Sequence, residues 1–399
     1  MKQNNVYTIN SGFWGNIYIA LISLSLLFHV FNNLQLSETI KVFHLFSTAA
    51  IGSLIFLTKP KNKIVHTFHL LLIWSFVSSL LSPIDGSLLS DVKFVIVALS
   101  VSLIPFVPFK KLVLYVNVAI PIALVFLVRN FFEQVVYRYQ GFYEDPNYFC
   151  TTLLVFFFYI QLLWKEVENN MLRGCLVVEM LLIFFLVGTS ISRTGLACLL
   201  MMFVSFWWSA FKDHKFKSVL IVIILFFLVS HYFSDYLYTG IEGYIYRETE
   251  NSDTLGSASN LRWEISKRGL TYILNNPQYL FQGIGIGTYS QAHILEGWQA
   301  STHHIDHNTT TSWFSEQGLI GLLLLIRFYY LIINRLLNNK YLKENGLRII
   351  CICVFCVFFL FSTSINMTNY LPFWFLLFTL IAVDRQGIMP DKKKSLKSK

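Results

Sequence analysis

Two arginines and a histidine have the types and settings for chemistry on an anion. Arg193 lies in GTSISRTGLA, where one apolar run gives way to the next. A charge at such a junction is costly unless it snorkels or is paired, so an interfacial anchor is its plainest role. The other role is an anion clamp, because a guanidinium binds phosphate oxygens in a bidentate fork. Thr194 and Gly195 open the next helix, whose unpaired amides add to that preference. Arg262 sits in LRWEISKRGLTYIL with Lys267 and Arg268 close by. Positions 262 and 266 share a helix face and 268 does not, so the three basic residues cannot meet one ligand. His307 ends the run HHIDH and is followed by Asn308. Three histidines and an aspartate so close together raise metal binding, but the spacing fits no zinc pattern and has no HExxH or cysteine partner, so no metal is expected. A neutral imidazole is suited to take a proton from a hydroxyl, with Asn308 placed to orient the ring or the acceptor.

Other residues have quieter readings. Asp145-Pro146-Asn147 reads as a helix N-cap followed by proline at the first helical position. Asp145 and Asn147 are also expected among the substrate-binding residues, with Arg138 from the same loop. GIGIGTYS has the spacing of a nucleotide loop without a strand before it, and a tight turn against the membrane surface is the better account. Glu179 lies inside an apolar span and is expected to pair with a polar group on a neighbouring helix. All six cysteines fall within apolar spans, where they read as small hydrophobes without a disulfide framework.

These residues need elements to hold them. The 399-residue chain is 55% hydrophobic and only 13% charged, against about 25% charged in an average soluble domain. Too little polar sequence remains to coat a soluble core, and repeated apolar runs imply an all-α polytopic membrane protein. About twelve spans are expected, near 13–31, 40–57, 64–82, 92–109, 112–128, 147–164, 174–191, 194–211, 218–233, 313–333, 349–364 and 370–383. The first is too long and poorly flanked for a cleaved signal. The net charge of +9 gathers in short loops and the tail, which is the pattern of an orientation signal and excludes a nucleic-acid surface. With KPKNK cytoplasmic, every other basic cluster is cytoplasmic too, and both termini lie inside. The chain thus divides into spans over 1–233, an outward-facing loop over 234–312 that carries the catalytic elements, spans over 313–383, and a basic tail over 384–399 facing membrane lipid.

With these pieces in place the chain resembles the O-antigen ligase and polymerase superfamily of bacterial membrane glycosyltransferases. The resembling residues are SRTG after a span, Arg262 seven residues before Gly269-Leu270, the turn GIGIGTY, HN ahead of SEQGLIGLLLL, and the DPN that opens the sixth span. The resemblance implies a metal-independent architecture of the C type, without cofactor, in the bacterial cytoplasmic membrane. It implies a glycan donor on undecaprenyl diphosphate, a glycan or lipid-linked glycan acceptor, and inversion at the transferred sugar. Arg193 and Arg262 match the arginines that hold the diphosphate, and His307 matches the histidine beside the acceptor. A chain-length regulator or a flippase is the implied protein partner. The three nearby histidines and the Lys267/Arg268 pair depart from the pattern. Polymerisation of lipid-linked repeats is the first expectation and ligation of a finished glycan the second. A transporter ranks below both, because transporters of this size show related halves with a site near the midplane.

Overall fold

The computed structural model describes residues 13–31, 41–52, 62–134, 139–143, 145–210, 258–289, 308–344, 346–363 and 365–386, with the backbone alone at 210, 258–265, 268 and 384–386. These residues form a helical bundle. Helices α1 (Phe13–Val30), α2 (Val42–Gly52), α3 (Lys63–Leu80), α4 (Ser87–Ser102), α5 (Phe109–Glu133), α6 (Pro146–Glu166), α7 (Asn170–Thr189) and α8 (Arg193–Ala210) come first. After them come α9 (Ala258–Asn275), α10 (Thr309–Asn338), the short α11 (Lys340–Glu344), α12 (Arg348–Ser362) and α13 (Leu371–Gln386).

Seven described helices are long and apolar enough to cross a membrane, and α2, α12 and the first part of α13 are shorter apolar helices. The protein is therefore an all-α polytopic membrane protein. The expected ninth span, 218–233, lies outside the described residues, as do most of the expected external loop and the basic tail. The expected fourth span, 92–109, is corrected. Its helix starts at Ser87 after Gly86 and ends at Ser102, and a 3₁₀ turn over Ile104–Phe106 follows.

Helices that are apolar all round must find either lipid or other helices. α5 leaves Leu114, Val118, Ile122 and Val125 exposed along one side, which is a lipid-facing stripe. α6 is the opposite case, with Phe156, Phe157, Phe158 and Tyr159 all buried at its middle. Apolar burial gives little drive between helices in lipid, so close packing and polar links must hold the bundle. Asn117 on α5 donates from Nδ2 to the Tyr159 carbonyl at 3.1 Å, and Gln161 donates from Nε2 to the Met202 carbonyl on α8 at 3.1 Å. The Tyr159 hydroxyl meets Thr379 Oγ1 on α13 at 2.6 Å. Glu179 Oε2 is buried with no hydrogen-bond partner among the described residues, so none of them is the polar neighbour expected for that oxygen.

The two ends of the bundle differ. At one end Lys111 Nζ donates to Asn16 Oδ1 at 2.9 Å, Lys110 pairs with Glu166 at 3.6 Å, and Lys165 Nζ donates to Ser209 Oγ at 2.8 Å. The starts of α1 and α5 and the ends of α6 and α8 therefore meet where the lysines are. The opposite end gathers the starts of α6, α8, α10 and α13.

Candidate functional site

The start of α6 is set by local chemistry. Asp145 is extended, and its Oδ1 accepts from the Asn147 amide at 2.6 Å, with Pro146 at the first helical position. The N-cap reading of Asp145-Pro146-Asn147 is therefore what the chain adopts. Asn147 is buried, and its Oδ1 accepts from Ser192 Oγ at 2.7 Å. Ser192 Oγ in turn accepts from the Gly195 amide at 3.0 Å, which satisfies a first-turn donor of α8. Ser190 Oγ accepts from the Ser192 amide at 3.2 Å, and between them Ile191 has φ 51. A β-branched residue in the left-handed region costs roughly 1–3 kcal/mol and persists only where its surroundings hold it there. The turn that starts α8 is thus strained and pinned to α6, and it carries Arg193 as its first helical residue with the side chain exposed. A fixed backbone under an exposed guanidinium suits an anion clamp, since little order is lost on binding.

Ser192→Ala removes both the amide's acceptor and the link to Asn147. Loss of such a cap costs about 1 kcal/mol, and the orphaned Asn147 carbonyl oxygen adds a similar amount. The variant should melt several degrees lower in detergent while Ser192→Thr, which keeps the oxygen, should stay close to the parent protein.

The start of α10 is built the same way. Asn308 Oδ1 accepts from the Thr310 and Thr311 amides at 2.9 and 3.3 Å. This carbonyl oxygen is committed to capping. Thr309 Oγ1 donates to the Ile365 carbonyl at 2.9 Å and accepts from the Met367 amide at 2.9 Å. Asn366 Nδ2 donates to Ser312 Oγ at 2.8 Å, and the Tyr148 hydroxyl on α6 donates to the Asn366 carbonyl at 2.6 Å. Behind them the Tyr143 hydroxyl lies 2.9 Å from Thr152 Oγ1, which lies 2.5 Å from the Tyr370 hydroxyl. The Tyr143 hydroxyl donates to the His29 carbonyl at 3.0 Å and the Tyr370 hydroxyl to the Tyr148 carbonyl. Asn366 and Tyr148 are residues that the sequence reading passed over. The polar cluster INMTNY between two apolar runs was the available signal.

The glycine-rich turn does something the sequence did not announce. α10 is broken at Gly318, which has φ 66 and ψ −172. The turn lies in the break: the Ile284 amide donates to the Ser315 carbonyl at 3.1 Å and the Gly285 amide to the Glu316 carbonyl at 2.8 Å. In return the Leu319 amide donates to the Leu280 carbonyl at 2.8 Å. Polar backbone freed at membrane depth is tolerated only when protein re-satisfies it, and here the turn does so. α3 closes the other side, with Trp74 Nε1 donating to the Gln317 carbonyl at 2.9 Å and Ser78 Oγ to the Glu316 carbonyl at 3.0 Å.

The structure accordingly gathers Arg193, Asp145, Asn147 and Asn308 at one end of the bundle, through α6, α8 and α10. The backbone of α9, which carries Arg262, is tied to the same end through the turn. Arg138, His307 and the side chain of Arg262 lie outside the described residues; His307 is the residue immediately before the α10 cap. Residues 178–326 match the family model described as O-antigen ligase. That span holds Arg193, all of α9, the glycine-rich turn, His307 with Asn308, and the broken helix. The curated proteins give no match to the chain.

Proposed function

We propose, from the match of residues 178–326 to the family model described as O-antigen ligase, that the chain is a member of the O-antigen ligase and polymerase superfamily and polymerises lipid-linked oligosaccharide repeats into surface polysaccharide. The donor in this reading is a glycan on undecaprenyl diphosphate, presented at the outer face of the bacterial cytoplasmic membrane. The observation that supports it most is the joining of the α6, α8 and α10 starts, each a helix N-terminus, at the end away from the lysines. That is where a membrane-anchored diphosphate would meet protein.

The proposed chemistry needs few parts. The acceptor hydroxyl attacks the anomeric carbon while the bond from that carbon to the diphosphate oxygen breaks. The electron pair leaves with the diphosphate, and the hydroxyl proton passes to the His307 imidazole. Diphosphate is already a good leaving group, so neutralising its charge matters more than protonating it. Arg193 and Arg262 are proposed to supply that neutralisation. Arg138 is proposed to add charge to the same substrate. Asp145 and Asn147 are proposed to frame the sugar from the α6 start, and Asn308 to fix the point from which His307 approaches.

His307→Ala should lower kcat by roughly 10²–10⁴-fold, the usual worth of a general base, with the donor KM little changed. Chelators should leave the purified protein active; inactivation reversed by zinc would make the histidines a metal site and end the base assignment. A ligase reading is kept because the matching family is described by ligation. Reconstitution with lipid-linked repeats separates the two. A ladder of increasing repeat number on the carrier lipid indicates polymerisation, and transfer only to a separate acceptor indicates ligation. Units moved across the bilayer without lengthening would support transport.

A further inference from the structure

The seven-residue spacing between Arg262 and Gly269 has a physical meaning. Seven residues are nearly two helical turns, so both positions lie on one face of α9, with 266 and 273 on the same stripe. That is the docked face: Ser266, Gly269 and Ile273 are buried while Lys267, Leu270 and Leu274 are exposed. At Gly269 the helix meets Tyr289, the tyrosine of GIGIGTY. A Cβ at 269 would run into the Tyr289 ring, and the Gly269 amide donates to the Tyr289 hydroxyl at 3.1 Å. That amide is in a helix interior, where a side-chain acceptor is unusual. Tyr289 is itself held, because its backbone amide donates to Oε1 of Glu316 at 3.3 Å. Glu316 is a carboxylate only 2% exposed, two residues before the break in α10 at Gly318. Below this contact Ile273 and Tyr272 pack with Ile84 and Ile284.

We propose that Tyr289 and Glu316 are positioning residues for Arg262. They fix the roll and height of α9 so that its N-terminal turns carry Arg262 to the diphosphate. This rests on the reading of Arg262 as a clamp. It assigns a role to two residues which neither capping nor apolar packing explains, a buried carboxylate and a tyrosine seated on a glycine. The arrangement also makes one device of three separate pieces of sequence: the glycine of RGL, the tyrosine of GTY and the glutamate of SEQG.

The test uses the full-length protein in nanodiscs, with farnesyl diphosphate as the probe of diphosphate binding and donor KM and kcat measured in parallel. Tyr289→Phe keeps the ring and removes only the oxygen that receives the Gly269 amide. It should weaken farnesyl diphosphate binding and lower kcat/KM for the donor by roughly five- to tenfold, the order of one buried hydrogen bond. Gly269→Ala should do the same more severely. In an Arg262→Ala background, Tyr289→Phe should cause no further loss, because residues acting through one another are non-additive. A purely structural role would lower the amount of folded protein and leave the kcat/KM of the remainder unchanged, which would overturn the assignment. Equal losses with and without Arg262 would also overturn it. If Arg262→Ala weakens binding while Tyr289→Phe does not, positioning fails and the clamp stands. If Arg262→Ala binds the probe normally, the clamp itself fails and the positioning role fails with it. Should Gly269→Ala not accumulate, Tyr289→Phe carries the test alone.

Discussion

Replacing Arg193 or Arg262 by alanine is expected to lower glycan transfer by about 10²–10³-fold each, the usual loss when one preorganised charge-stabilising group is removed. The reason lies in where charge appears during the reaction. A departing diphosphate gathers negative charge on one oxygen, and a fixed cation next to low-dielectric lipid stabilises it far more than water would. Arg193 is set up for this by the strained turn at Ile191 and by the Asn147–Ser192–Gly195 link, which hold its backbone while leaving the side chain exposed. Lysine at either position should restore activity only in part, because it keeps the charge and loses the fork. Arg129→Ala is the matching control. Arg129 is an exposed arginine of α5 in an i,i+4 pair with Glu133 at 2.7 Å, an arrangement worth little, and its loss should leave activity unchanged. Turnover is measured on purified protein after confirming equal amounts in the membrane. Full activity in Arg193→Ala or Arg262→Ala would remove the clamp.

Much of this frame could be read from the residues alone, and where the reading stopped is instructive. Caps are local, so Asp145 before Pro146 announced the start of α6. Apolar run length is local as well, and it located the seven described membrane-length helices to within about five residues. The start of α4 escaped because Ser87, Ser90 and Asp91 look like loop residues. They are helical, with Ser87 Oγ donating to the Ser79 carbonyl at 3.0 Å and Asp91 Oδ1 receiving the Ser75 hydroxyl, so Ser87 and one oxygen of Asp91 find partners on α3. The docked face of α9 is likewise not marked by its apolar residues, since Leu270 is 39% exposed. Counting apolar residues favoured leucine, whereas the docking is made by the absence of a side chain at Gly269. Asn366 stood out only as part of a polar cluster for a related reason: its value lies in joining α6 to α10 across a long stretch of sequence, which spacing does not show.

The break in α10 was hidden most completely, and it carries the second large effect. Gly318→Ala should destabilise the protein by more than about 3 kcal/mol and remove most of it from the membrane. Two costs add. The backbone at φ 66 and ψ −172 lies in a region that only glycine occupies readily. A Cβ there would also strike the Phe281 carbonyl and approach the Gly283 amide at 2.6 Å, in the very segment that re-satisfies the break. Gly283→Ala meets the same surface from the other side, with φ 75 and the Gln317 amide 2.5 Å from its new Cβ. Neither neighbour is a side-chain end that can swing away; both are backbone, so relief requires the turn to leave the break. If it left, the amides of Leu319 and Ile320 would lose their acceptors at membrane depth, and α9 would lose the tyrosine on which it docks. Stability and activity should therefore fall together in both variants. Gly174→Ala, in α7 with open space around it, should instead be neutral or stabilising by up to about 1 kcal/mol, since alanine is the better helix former. Thermal unfolding in detergent, read alongside membrane abundance, separates these outcomes. A Gly318→Ala protein that melts and transfers glycan like the parent would mean that the helix runs unbroken and the turn sits elsewhere.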